Sequence, residues 1–164
     1  MRLVLLGAGG YGHVIEDMAI QSKRYKEILF LDDNTEHTCS TFLEYNNPDT
    51  EFYPAFGDNK TRMNWIKKLE QNSCMIASLI HPSSYVSPKA HIGSGCMILP
   101  FAVVNTNVVV EKGCIINCGA IIDHDCHIGE GCHICLNATI KANNNIPAYT
   151  KIEAGCVIEN NTFI

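Results

Sequence analysis

From Ile80 onward every sixth residue is Ile or Val, and the series runs to Ile164 without a slip. Two places before each of these stands a second, mostly small series that includes Ala90, Cys96, Ala102, Cys114, Ala120, Cys126, Cys132, Ala138 and Cys156. A six-residue period fits neither the turn of an amphipathic helix nor the alternation of a long strand. It is the signature of a parallel β-helix in which three hexads, 18 residues, make one coil. Successive coils pair as parallel strands, so residues 18 apart stack about 4.8 Å from each other on one face.

The pattern ahead of the repeat is different. Arg2–Leu6 (RLVLL) reads as a buried strand, followed at once by GAGGYG with Gly7, Gly9, Gly10 and Gly12. A helical pattern covers His13–Gln21, and a second strand, Leu29–Leu31, ends in Asp32 and Asp33. Strand, glycine turn, helix start, second strand and acid is the order of a dinucleotide fingerprint, in which backbone N–H groups face phosphate where no Cβ intervenes and the acid meets the ribose. Asn34–Pro54 reads as a polar surface loop and Phe56-Gly57 as a strand end. Asp58 or Asn59 caps a helix through Glu70, and Cys74–Ile80 is a last strand. About four strands and two helices make half of a Rossmann fold, with room for one nucleotide. The predicted domains are a nucleotide-binding α/β domain, residues 1–78, and a β-helix, residues 79–164.

Composition narrows the partners. The net charge is −5 with no basic block, which speaks against nucleic acid and anionic membranes. Five of the nine cysteines fall in the small series, where thiols pack as compact apolar groups. The odd count and the lack of a signal peptide point to free thiols in a reducing cytoplasm. Leu3–Leu6 is too short to span a membrane.

Among the histidines, His91, His127 and His133 immediately precede the Ile of their hexads, where side chains should point outward. His124 lies off that register, between Asp123 and Asp125, and an adjacent acid raises the basicity of an imidazole and fixes its tautomer. By the 18-residue ruler it stacks between Thr106 and Ala142, so a backbone N–H near Ala142 would serve an oxyanion formed beside His124. A zinc set drawn from His124, Cys126, His127, Cys132, His133 and Cys135 is disfavoured, because the frame turns Cys126 and Cys132 inward on different faces and Cys135 outward. A hydration site using His91, His127 and Cys132 is a minor alternative, and no metal is expected.

The segments LLGAGGYGHVIEDMA, FLDDN, FGDNKTRMNWI and, most specifically, INCGAIIDHDCHIGEGCHI resemble the NeuD- and PglD-type bacterial sugar acetyltransferases. That resemblance implies a left-handed β-helix, a cytoplasmic homotrimer with active sites between adjacent β-helices, and acetyl-CoA as co-substrate. It also implies a nucleotide sugar held partly by the N-terminal domain through Gly7, Gly9, Gly10, Gly12, Asp32 and Asp33. His124 would be the general base supported by Asp125, His133 would contact the acetyl donor, and Ala142 would supply the oxyanion N–H. In place of the glycine turn of many relatives stands Asn143-Asn144-Asn145. An outward face rich in Ile and Val would lie partly between subunits.

The expected function is N-acetylation of a UDP-linked 4-amino-dideoxy sugar for surface glycan synthesis. The alternatives are O-acetylation of a sialic-type sugar and a non-catalytic trimeric sugar-binding protein. The last is raised by a sequence that ends at Ile164 without the G-x-PA-K-like tail of relatives.

Overall fold

The computed structural model describes residues 1–162, and the hexad position at Ile164 lies outside them. The chain divides into two compact units, Met1–Leu79 and Ile80–Ile164. The first runs β1 (Arg2–Leu6), α1 (Gly10–Ser22), β2 (Glu27–Leu31), a 3₁₀ helix (Cys39–Tyr45), β3 (Thr50–Pro54), α2 (Asn59–Gln71) and β4 (Met75–Ile76). Its sheet is parallel in the order β2-β1-β3-β4. Leu3, Val4, Leu5 and Leu6 expose no surface, as an unbroken apolar run in a central parallel strand requires. Ile15, Met18 and Ala19 bury one face of α1, and Met63, Ile66 and Leu69 bury one face of α2, each at helical spacing. Asp58 caps α2 by accepting the Thr61 N–H at 2.8 Å. Arg62 is fully buried, and its guanidinium donates to the Phe56 carbonyl and to Asn59 Oδ1, both at 3.0 Å, tying down the turn between β3 and α2.

Two segments differ from the sequence reading. Asn34–Pro54 is not one surface loop: it holds the 3₁₀ helix and the fully buried β3. The polar stretch hides this because the deciding contacts are distant, with Phe42 edge-on to both Phe52 and Trp65 at 6.2 and 6.0 Å between ring centroids. Cys74–Ile80 is likewise two short strands, Met75–Ile76 and Leu79–Ile80, belonging to different sheets.

In the second unit each hexad as far as Ile158 contributes a two-residue strand, and the strands stack in three parallel sheets. The register is the 18-residue one: Ile122 pairs with Val104 below and Ile140 above, and His127 with Val109 and Asn145. The hexad Ile and Val side chains point inward and, from Ile98 to Ile146, expose no surface. They share this core with the small series, whose cysteines do more than fill space. The Sγ–H groups of Cys96, Cys114, Cys126 and Cys132 donate at 3.0–3.2 Å to the carbonyls of Glu111, Gly129, Lys141 and Pro147, each 15 residues on.

Each corner from Gly95 to Asn161 has one residue in the left-handed region, three places before the hexad Ile or Val, with φ between 54° and 70°. Glycine, asparagine and aspartate hold most of these places, because they alone adopt that conformation at little cost. Phe101 and Tyr149 are the exceptions. The Asn143-Asn144-Asn145 run is explained here. Asn143 is a left-handed corner, while Asn144 turns inward and is satisfied by the carbonyls of Lys141 (2.8 Å) and Glu159 (2.9 Å) and by the Thr162 N–H (3.0 Å).

The outward face expected to be rich in Ile and Val carries Tyr85, Ile121 and Val157 on one sheet, with Phe101 and Leu136 also exposed. Two expectations about side-chain direction are corrected. Cys135, expected outward, is buried, since the next coil stands over it with Lys151 paired to Glu153 at 3.0 Å. Ile80 and Cys156, expected inside, are exposed, because each lies at an end of the stack with a coil on one side only. Ile122→Ala should therefore lower stability by about 2–5 kcal/mol in chemical denaturation, since a rigid stack collapses little around the lost side chain.

Candidate active site

In the first unit the chain leaves β1 for β2 on one side and crosses to β3 on the other, so the carboxyl ends of β1 and β3 form a topological switch point. The glycine turn lies there. Gly7 has φ +105° and a Cβ on it would sit 3.2 Å from Phe56, while a Cβ on Gly12 would meet the Gly7 carbonyl oxygen at 2.4 Å. Those two glycines are required by packing. Gly9 and Gly10 are exposed, and a Cβ on either would meet nothing within 4 Å. They open the start of α1, whose Gly9 N-cap makes no side-chain cap hydrogen bond. Asp32 accepts the Ala8 N–H at 2.7 Å and both the N–H and the side-chain amide of Asn34 at 2.9 Å. These bonds, that from Ala8 foremost, hold its carboxyl below the usual range. Asp33 accepts the Cys39 N–H at 2.8 Å.

In the second unit His124 Nδ1 lies 2.7 Å from Asp125 Oδ2. A carboxylate can only accept, so Nδ1 carries the proton and Nε2 presents its lone pair. Both side chains remain about half exposed, at 46% and 45%. The Asp125 hydrogen bond, helped by the charges of Asp123 and Asp125, raises the His124 pKa above that of ordinary imidazole. Asp125 is lowered, first by a hydrogen bond from Asn107 and then by His124.

Ala142 lies one coil above His124, where the Asn143 N–H reaches the His124 carbonyl at 3.3 Å. In the coils below, the residue at this place has its N–H capped by the preceding side chain: Thr106 by Asn105 at 3.0 Å and His124 by Asp123 at 2.8 Å. Ala142 follows Lys141, a donor that cannot cap it. His133 Nε2 lies 3.1 Å from Asn117 Nδ2, and Asn117 Oδ1 is taken by the Cys118 N–H at 2.8 Å. The amide therefore donates and His133 accepts at Nε2, as a neutral ring. His91 and His127 stack two coils apart on another sheet. There His127 is engaged by Glu111 and Asn145, each at 3.0 Å, and Cys132 Sγ donates into the core. Among the described residues no three His, Cys, Asp or Glu side chains come together as a metal site.

The family model of the PglD N-terminal domain matches residues 2–69. The acetyltransferase domain of PglB from Neisseria gonorrhoeae FA1090 is 28% identical, with a TM-score of 0.86 over 97% of this chain and 91% of that one. The same domain in complex with acetyl coenzyme A gives a TM-score of 0.68 at 26% identity, over 95% and 94% of the two chains. Residues 2–69 thus match a PglD-type domain, and the chain is similar over nearly its whole length to the gonococcal acetyltransferase domain. With that domain it shares the left-handed β-helix fold. A variant of perosamine N-acetyltransferase from Caulobacter crescentus, in complex with CoA and GDP-perosamine, has the same fold at 22% identity, with a TM-score of 0.84 over 98% and 89% of the two chains.

The sequence reading missed Asn105, Asn107 and Asn117. The first two were within reach of the 18-residue ruler, which sets them under Asp123 and Asp125; Asn117 sits 16 residues before His133 and gives no such signal. The glycine geometry separates structure from binding. Gly12→Val should fail to fold or lose much stability. Gly9→Val should keep its melting temperature yet raise the KM of the sugar substrate, with that of the acetyl donor unchanged. Steady-state kinetics with each substrate varied in turn decides it.

Proposed function

We propose that this protein is a PglD-type enzyme that transfers the acetyl group of acetyl-CoA to the amine of a nucleotide-linked 4-amino-dideoxy sugar, a UDP sugar being the first candidate, in a cytoplasmic route to surface glycans. The carrying observation is the His124–Asp125 pair, a base with its proton fixed on Nδ1 and its Nε2 open. His124 Nε2 takes a proton from the sugar amine as its nitrogen bonds to the thioester carbonyl carbon. The Ala142 N–H donates to the oxyanion, which then collapses, breaking the C–S bond and releasing CoA. His133, a neutral ring, faces the acetyl donor. The nucleotide is assigned to Gly9 and Gly10 at the start of α1, with Asp32 and Asp33 near the ribose.

Support for the donor comes from the gonococcal PglB domain solved with acetyl coenzyme A, and support for a nucleotide-linked amino sugar from the Caulobacter fold neighbour solved with GDP-perosamine. None of the chain's nine cysteines is needed as a nucleophile, and those of the β-helix core are engaged in packing. No helix among the described residues is long and apolar enough to cross a membrane. The exposed row of Tyr85, Ile121 and Val157 supports a homotrimer that completes the site.

Mass spectrometry of products from a panel of UDP-, GDP- and CMP-linked amino and hydroxy sugars tests the reading: a gain of one acetyl on the amine supports it, and acetylation only of hydroxyls overturns it. His124→Ala should lower kcat about 10²-fold or more with KM values kept. Its melting temperature should barely change, because the ring is exposed. His127→Ala should have a much smaller effect on rate. Because the raised imidazole must lose its proton to act as a base, kcat/KM of the wild type should climb with pH through a value above ordinary imidazole. Light scattering should give a trimer, and a monomer at micromolar concentration would remove the intersubunit site.

A further inference from the structure

We infer that Asn107, with Asn105 beside it, is a positioning residue for the His124 base: one coil below, it holds the Asp125 carboxylate in the orientation that fixes the imidazole. This rests on the assignment of His124 as the base. Asn107 Nδ2 donates to Asp125 Oδ1 at 2.9 Å, while the other oxygen, Oδ2, accepts from His124 Nδ1 at 2.7 Å. The carboxylate is thus gripped at both ends. Asp125 is about half exposed, and without the lower grip solvent would leave it free to turn away from the ring.

The backbone prepares this contact. Asn107 and Asp125 occupy successive left-handed corners of one column, with φ of 57° and 58°, so the rigid stack sets the distance between their side chains. Asn105 acts in parallel. Its Nδ2 donates to Asp123 Oδ1 at 3.2 Å, and the same oxygen accepts the His124 N–H at 2.8 Å, which fixes the backbone that carries the ring. The other charges near His124 are few. Asp123 and Asp125 flank it, the coil below offers Asn105, Thr106 and Asn107 with no titratable group, and on the coil above Lys141 is paired with Glu159 at 2.6 Å.

The test uses two variants that both tolerate a left-handed corner. Asn107→Gly keeps the backbone and deletes the grip, while Asn107→Asp keeps the shape and replaces the donor with a second carboxylate. The His124 imidazole is titrated by NMR in the full chain, and kcat/KM is followed against pH. Asn107→Gly should move the His124 pKa down towards ordinary imidazole and lower kcat about tenfold, with the KM for acetyl-CoA unchanged. Asn107→Asp should move the pKa up, through the added negative charge. Opposite shifts at unchanged melting temperature are what positioning requires and a merely structural corner would not give. A His124 pKa unchanged or raised in Asn107→Gly overturns the inference. The NMR titration needs no turnover, so it reads independently of whether His124→Ala bears out the base.

Discussion

Stacking at an 18-residue interval is the constraint on which the second unit depends. Each coil donates its strand N–H groups to the next, as Ile121 does to Ala138 and Asp123 to Ile140, both at 2.9 Å. Inside, the hexad Ile and Val pack on their own kind above and below. Neither interaction survives a slip of one residue, because a slip would turn the apolar series out and the corners into strands. The corners must therefore recur in step, and with them the left-handed residues. A requirement for Asn, Asp or Gly at fixed places is what puts Asp125 directly over Asn107.

The first unit meets a different constraint, the close approach of a helix to the strand that precedes it. Gly12 lies against the Gly7 carbonyl, and nothing larger fits. The same turn leaves Gly9 and Gly10 bare at the start of α1, so one short segment has two glycines that close packing demands and two that packing does not explain. Asp32 then ties the end of β2 to this turn through Ala8. The carboxylate is held ionised beside the turn, chiefly by the Ala8 N–H, and so keeps the turn in place.

The use of polar atoms inside the β-helix follows the same economy. A thiol is small enough for a corner and still satisfies a carbonyl of the next coil, which accounts for cysteine at Cys96, Cys114, Cys126 and Cys132 without redox or metal chemistry. Asn144 does the same with an amide where the stack nears its end. Outside the core, His124 and His133 are each given a tautomer by a neighbour, Asp125 in one case and Asn117 in the other.

The sequence alone determined the β-helix, its register, the glycine turn with its two flanking strands, and the singular position of His124, because each is a local or strictly periodic property. It placed a third strand end at Phe56-Gly57 but gave Thr50–Pro54 to a loop, because the place of β3 depends on Phe42, Phe52 and Trp65 meeting across the sheet, and it missed the break between Met75–Ile76 and Leu79–Ile80. It named Asp32 as an acid near a ligand, while the tertiary structure decided that this acid first binds its own glycine turn. It set Asn107 18 residues before Asp125 in plain sight, yet only the left-handed backbone at both corners turned that interval into a hydrogen bond. Period fixes which residues are neighbours; the direction of a side chain at a corner is settled by backbone dihedrals that the period does not encode.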